Sequence, residues 1–244
     1  MRLLTIDIET SPHLAHVWSL WKQNVPPSAI RQRGQVMCFA AKWYGEKDIL
    51  FHSDFHDGHE QMIRRAHELL DEADGVIGYN SRAFDMKHLA REFLVAGLPP
   101  PSPYKDIDLW RTVHSTFKFA SNKLDQVAGE LGMGRKVRTD FGLWLGCIQS
   151  DEAAWAKMRR YNVQDVRLTE RLYERLLPWI KQHPHLGLYV DELRGGCSKC
   201  GGRLQRRGFY HTNVGRYVKY QCLGCRSYMR AKHADRLMNV RPAT

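Results

Sequence analysis

Leu3-Leu4-Thr5-Ile6-Asp7-Ile8-Glu9-Thr10 is the stretch on which the reading of this chain turns. Leu4, Ile6 and Ile8 fall on one side of a strand, and Thr5, Asp7 and Glu9 on the other, because strand side chains alternate. Two carboxylates two positions apart therefore point the same way and repel unless a cation lies between them. Hard Mg²⁺ or Mn²⁺, which take oxygen ligands, fit that place. An Asp-x-Glu pair alone is usually a solvated strand face, since acids are mostly exposed. The acids further along the chain change that balance.

The bounds are simple. At 244 residues the chain makes one large domain, or one domain with an appendage. No apolar run is long enough to span a membrane, and the sequence enters a strand with no signal-peptide pattern, so a cytoplasmic location is expected. Six cysteines in that setting read as thiols or metal ligands rather than a disulfide framework.

The net charge of +11 is unevenly placed. Residues 1–193 hold 25 Lys+Arg and 25 Asp+Glu, whereas residues 194–244 hold 12 Lys+Arg and a single acid, Asp235. All the excess lies in the last fifth, which is the composition of a polyanion-binding appendage. The shift sets an expected boundary near Arg194-Gly195-Gly196, giving domains 1–193 and 194–244.

After the Asp7 strand and a Ser11-Pro12 break, His16 to Trp21 suggest a short second strand, and residues 24–33 look irregular. Val36 to Tyr44 and Ile49 to His52 read as strands. Met62, Ala66, Leu69 and Leu70 recur at helical spacing. Gly75 to Tyr79 form a short buried strand leading into a helix over about Phe84 to Ala96, stopped by Gly97 and three prolines. Ile107 to Leu109 precede helices near Trp110 to Ser115 and Lys123 to Leu131. A long helix covers about Asp151 to Ile180. Strands in series, then strands alternating with helices, imply an α/β mixed sheet covered by helices.

Two further acids fall at telling places. Asp85 follows Asn80-Ser81-Arg82-Ala83-Phe84, where a buried strand gives way to a helix, and a carboxylate in a first helical turn is favoured by the dipole. Tyr161 and Asp165 are four apart on the long helix and so share a face. Alone, the first reads as a capping acid and the second pair as helix surface. Together, Asp7 and Glu9 on a first strand, Asp85 after a second motif, and Tyr161-x-x-x-Asp165 on a late helix resemble the DEDD (DnaQ-like) superfamily of 3′–5′ exonucleases. The subgroup is the one with Tyr in the last motif, and the resemblance covers roughly residues 1–180.

The resemblance implies an RNase H-like fold in which Asp7, Glu9, Asp85 and Asp165 hold two divalent ions, Mg²⁺ or Mn²⁺. Asp7 would bridge them, with Glu9 and Asp165 on one and Asp85 reaching the other. Tyr161 would orient the attacking water, since a phenol with a pKa near 10 is a poor base at pH 7. Thr10 and Asn80 match positions that contact the terminal nucleotide, and Phe84 is expected to pack. Asp108 reads equally as a supporting acid or a helix cap. Arg82, Arg111, Lys118, Lys123, Arg135, Lys136 and Arg138 are scattered and read as solvated surface before a phosphate path.

The appendage carries its own motif. Cys197-Ser-Lys-Cys200 and Cys222-Leu-Gly-Cys225 are two Cys-x-x-Cys knuckles 21 residues apart. Four thiolates in two close pairs fit one structural Zn²⁺ in a zinc ribbon, and so small a segment needs the metal to fold. Arg206, Arg207 and Lys219 interleave with Phe209, Tyr210, Tyr217 and Tyr220, so the ribbon is expected to bind nucleic acid, phosphates through the bases and unpaired bases through the rings. Protein docking is the competing use. Cys38 and Cys147 stand apart as core thiols. The whole reading is a metal-dependent 3′–5′ exonuclease acting on single-stranded 3′ ends, DNA favoured and RNA possible. Its rivals are an internal or structure-specific nuclease on the same site and a non-catalytic binding or recruitment module.

Overall fold

A computed structural model describes residues 1–134 and 137–240; Arg135 and Lys136 lie outside the described residues. The chain divides into two compact units, Arg2–Leu172 and Tyr173–Thr244 together with Met1.

The first unit is built on a five-stranded mixed sheet. Its strands are β1 (Leu3–Thr10), β4 (Val36–Trp43), β5 (Leu50–Ser53), β6 (Gly75–Gly78) and β7 (Lys105–Asp108), with β2 (Leu14–Ala15) and β3 (Ile30–Gln32) forming a separate small ribbon. The order is β5-β4-β1-β6-β7. β4 runs antiparallel to β1 and β5, whereas β6 and β7 are parallel to β1. The strand with the paired acids is thus central. On the antiparallel side β4 and β5 are joined by a short connection and β1 and β4 by the long segment 11–35, whereas the parallel side requires helical crossovers.

Helices α1 (Asp54–Asp57), α2 (His59–Asp71), α3 (Asp85–Val95), α4 (Leu109–Thr116), α5 (Leu124–Glu130), α6 (Phe141–Ile148) and α7 (Glu152–Leu176) complete the fold. α2 buries Met62, Ile63, Ala66, Leu69 and Leu70, the i, i+3, i+4 stripe of an amphipathic helix. With Leu89 and Phe93 of α3 these pack on Leu4, Ile6 and Ile8, the side of β1 without acids. A second cluster joins Met37 and Cys38 of β4 to Leu143 and Cys147 of α6 and to Trp155 and Met158 of α7. The sheet is therefore sandwiched, and α7 covers the acid-bearing face.

Polar contacts fix where α7 lies on that face. Lys42 shares its face with Thr5 by register, and its Nζ donates to Glu170 Oε1 of α7 at 2.7 Å. Both side chains are 12 % exposed, so neither charge has much water to fall back on. Between Glu9 and Thr10 the β1–β4 register slips, so that Glu9 faces Cys38 while Thr10 faces Val36. Such bulges re-aim side chains beside functional sites.

Three local expectations differ from the structure. His16 to Trp21 form no strand; the pairing is confined to Leu14–Ala15, and residues 30–32 of the stretch read as irregular form its partner β3. The run of Val17, Trp18, Leu20 and Trp21 has strand-forming residues but no sheet edge to bury them. α6, whose Phe141, Leu145 and Ile148 remain exposed, follows no clear apolar stripe and was not foreseen. Phe84, expected to pack, is 41 % exposed and lies against His88 at 4.5 Å between ring centroids.

In the second unit β8 (Leu204–His211) and β9 (Gly215–Cys222) pair antiparallel, and β10 (Tyr228–Arg230) and β11 (Arg236–Leu237) pair with successive parts of β9. Among the described residues no helix is long and apolar enough to cross a membrane.

Candidate active site and cysteine cluster

Three of the predicted acids converge. Asp7 and Glu9 of β1 and Asp165 of α7 bring one carboxylate oxygen each to within 4.8 Å of the others. Asp165 is fully buried, and the two strand acids are half-buried. β1 supplies its pair by alternation, and α7 lays Asp165 over them because its buried row runs Trp155, Met158, Asn162, Asp165, Thr169 and Leu172. The field of this cluster reaches the neighbouring strand. Burial first, then the Glu9 carboxylate and Cys147, push the Cys38 thiol well above its usual range.

Asp85 begins α3 as foreseen and is buried, but it lies outside that trio. Its Oδ1 accepts the Ile8 amide at 3.1 Å. β6 pairs with β1 only as far as Thr5, so beyond that point the central strand has no strand neighbour on this side, and a helix-borne carboxylate takes the rung. The fourth acid is thereby tied to the residue between the first two.

The sequence reading missed Asn162. Its Nδ2 donates to Asp7 Oδ2 at 2.7 Å and to the Asp7 carbonyl at 3.1 Å, while its Oδ1 is buried with no hydrogen-bond partner among the described residues. Its only trace in the sequence is its place three residues before Asp165 on the same helix face, a position ordinary surface residues also hold. Tyr161, one turn before Asp165, is half-buried with its ring edge-on to Trp144 at 6.1 Å.

Asn80 holds a left-handed φ of 62° and its amide donates to Asp108 Oδ1 at 2.8 Å. Asp108 also accepts from Trp110 N at 3.0 Å and, through Oδ2, from Arg82 N at 3.4 Å. It is both the cap of α4 and the clamp of the 80–84 turn that leads into Asp85. Thr10 ends β1, half-buried.

A divalent ion fits the acid trio on chemistry alone. Three oxygens this close are a hard donor set of the kind Mg²⁺ and Mn²⁺ take, and Asn162 holds one of the carboxylates in place from behind.

In the second unit Cys197, Cys200, Cys222 and Cys225 bring their sulfurs to within 4.8 Å of one another. The closest pairs are Cys197–Cys225 at 3.6 Å and Cys200–Cys222 at 3.5 Å. The backbone is drawn in against them: a Cβ at Gly202 would lie 2.9 Å from Cys222 Sγ and 3.3 Å from Cys200 Sγ. Burial pushes the Cys197 thiol up to about 12. Burial acts likewise on Cys225, but hydrogen bonds with the Ser227 hydroxyl and amide outweigh it and bring that thiol to about 7. Four soft donors at tetrahedral reach fit Zn²⁺.

The basic residues singled out on this unit do not share a surface. Arg206 faces Tyr220 across the β8–β9 ladder, and Lys219 faces Arg230 across β9–β10. Lys219 and Tyr220 are successive residues of one strand, so Arg206 and Lys219 lie on opposite sides. Arg207 falls in the irregularity between Arg206 and Phe209. Arg216 lies over Phe209 at 4.3 Å and Arg230 over Tyr217 at 4.1 Å, so rings and guanidinium groups pair on both sides.

A family model described as the RNase_H superfamily matches residues 30–177, and the chain belongs to that superfamily. The strand order, with a central strand carrying acids and a late helix returning over it, is the RNase H-like α/β arrangement, and the superfamily generally hydrolyses phosphodiester bonds of nucleic acids with divalent metals. No curated protein matches the chain. The matched span contains Asp85, Tyr161 and Asp165 and begins after Asp7 and Glu9.

Proposed function

We propose that this chain is a metal-dependent 3′–5′ exonuclease whose catalytic residues are Asp7, Glu9, Asp85, Asp165 and Tyr161. The observation that carries the reading is the convergence of Asp7, Glu9 and Asp165, with Asp85 bonded to Ile8 between the first two. Asp7, Glu9 and Asp165 repel one another when no cation lies between them, so their convergence supports a metal site rather than packing.

A phosphodiester is already anionic, and its hydrolysis adds charge on the entering and leaving oxygens. Two Mg²⁺ or Mn²⁺ ions, when bound, neutralise that charge. Asp7, Glu9 and Asp165 would hold one ion and Asp85 would help to hold the other. Asn162 orients Asp7. Tyr161 donates or accepts one hydrogen bond that positions the attacking water and leaves its own proton in place. Thr10 and Asn80 receive the terminal nucleotide.

Residues 1–193 form the catalytic domain, and residues 194–244 form a zinc ribbon, held by Cys197, Cys200, Cys222 and Cys225. The ribbon grips the substrate through Arg206, Arg207 and Lys219 with their aromatic neighbours, the substrate strand passing from one side of its sheet to the other, since Arg206 and Lys219 face opposite ways. DNA is the favoured substrate and the cytoplasm the favoured location. Incubating 5′-labelled and 3′-labelled single strands and duplexes, of DNA and of RNA, with Mg²⁺ or Mn²⁺ tests the proposal. A ladder shortening from the 3′ end supports it. Internal cuts at full length would replace it with an endonuclease on the same site.

A further inference from the structure

The segment between β1 and β4 is not used by the catalytic reading. It is an arm, rooted where the acid-bearing strand ends and closed just beyond that root by the β2–β3 pairing, with residues 17–28 as its tip. At the root the Ser11 amide donates to Gln35 O at 2.8 Å, the Gln35 amide to Ser11 Oγ at 3.0 Å, and the Gly34 amide to His13 Nδ1 at 3.0 Å. The two chains run so close there that a Cβ at Gly34 would lie 2.3 Å from Ser11 O. The arm is thus fixed two residues beyond Glu9.

Its surface is apolar and cationic at once. Trp18 is wholly exposed, Leu20 is 85 % exposed and Trp21 is 81 % exposed. Such a concentration of bare aromatic surface marks a site of interaction. No Asp or Glu occurs between Glu9 and Glu46, while Lys22, Arg31 and Arg33 all fall in the arm. A groove of about 710 Å³, lined by His16, Trp18, Pro26, Ile30 and Arg31 among others, opens on it. That is within the range of small-ligand sites, about 300–1,000 Å³.

We infer that this arm is a second nucleic-acid contact: Trp18 and Trp21 stack on unpaired bases of the strand whose end lies at the acid cluster, and Lys22 and Arg31 hold its phosphates. The inference rests on the nuclease reading for what occupies the site, and on the arm alone for what it binds. Three features select this occupant. Flat aromatic faces without partners take bases of any identity. The arm carries Lys22, Arg31 and Arg33 and no acid of its own, which suits phosphates. Duplex bases have both faces covered by their neighbours, so only a single strand can offer them. The root at Ser11 and Gly34 places the contact next to the chemistry along the chain.

The test uses the full chain, without added Mg²⁺ or Mn²⁺, and a 5′-labelled single-stranded oligonucleotide whose binding is followed by fluorescence anisotropy. Salt is set at about 0.3 M, where phosphate contacts are weak and stacking remains. Trp18→Ala with Trp21→Ala should lower affinity on the order of tenfold or more, from typical losses per stacked base. Trp18→Phe with Trp21→Phe keeps flat faces and should stay within about threefold of wild type by the same account. Both side chains are exposed, so circular dichroism should not change. Equal affinity of the alanine variant overturns the inference and assigns the tryptophans to a protein contact, and an equal loss on a duplex of the same length overturns stacking on unpaired bases. Hydrolysis by the wild type with Mg²⁺ is measured in parallel. No hydrolysis together with a tryptophan-dependent affinity would refute the nuclease reading and leave the arm's contact standing.

Discussion

Asn162 holds Asp7 by two hydrogen bonds, one to the carboxylate at 2.7 Å and one to the backbone carbonyl at 3.1 Å. A helix residue therefore sets both the side chain and the peptide plane of the strand acid. Partners of this kind, one step behind a ligand, change metal affinity or activity about 10–100-fold when lost. Asn162→Ala should raise the Mg²⁺ concentration for half-maximal hydrolysis by that order. A Mg²⁺ titration that superimposes on wild type would mean that Asn162 positions nothing of consequence.

Asp7→Asn and Asp165→Asn should each abolish hydrolysis while leaving the melting temperature equal or higher in metal-free buffer, because repulsion among three close carboxylates is relieved. Tyr161→Phe should slow the reaction on the order of 10²-fold or less, the scale of one positioning contact. Steady-state rates on an end-labelled strand, set beside thermal melts, separate the two behaviours. Near-wild-type turnover of Asp7→Asn would remove the acid cluster from the chemistry.

Lys42 and Glu170 are nearly shielded from water and have each other. Lys42→Ala should cost about 3 kcal/mol, since it strands a carboxylate under α7. Lys42→Met with Glu170→Met should recover most of that loss. Urea denaturation of wild type and these two variants is the measurement, and a double variant no more stable than Lys42→Ala would show that the pair does not act as one.

The cysteine cluster should carry one Zn²⁺ per chain by elemental analysis. Cys197→Ser with Cys200→Ser should remove it and expose the amides of β8 and β9 to hydrogen exchange, while β1 and β4 keep their protection. Deleting residues 194–244, which hold all the excess charge, should raise KM on long strands, largely spare kcat, and flatten the dependence of binding on salt. Equal salt slopes with and without these residues would move the segment to protein docking.

How much was legible follows from what each residue answers to. Asp7 and Glu9 share a face by strand alternation, and Tyr161 and Asp165 by helical spacing; that geometry is ordinary by itself, and the order of the motifs, as a resemblance to the DEDD exonucleases, is what gave these residues roles. The cysteines were legible because their spacing is itself the ligand geometry. Asn162 was not, because an amide one turn from an acid is ordinary until a strand lies opposite it. Asp108 left two readings open in the sequence, and the structure shows a cap that also clamps the turn through the amides of Asn80 and Arg82. The Val17–Trp21 run misled because strand propensity expresses fit to a half-buried pleated surface, and the arm offers none.

The bond from Asp85 to the Ile8 amide divides the four acids into unlike kinds. Asp7, Glu9 and Asp165 crowd one another, so a change at any of them relieves tension in the resting protein. Asp85 completes a rung of the central strand, and its loss leaves a buried amide unsatisfied at a cost of about 1–3 kcal/mol. In a lineage that abandons catalysis, drift at position 85 is channelled toward Asn, whose side-chain oxygen still accepts that amide. Asp85→Asn should accordingly be inactive and as stable as wild type, and Asp85→Ala inactive and measurably less stable. Among silent descendants of this fold, position 85 should be the last of the four to lose its oxygen.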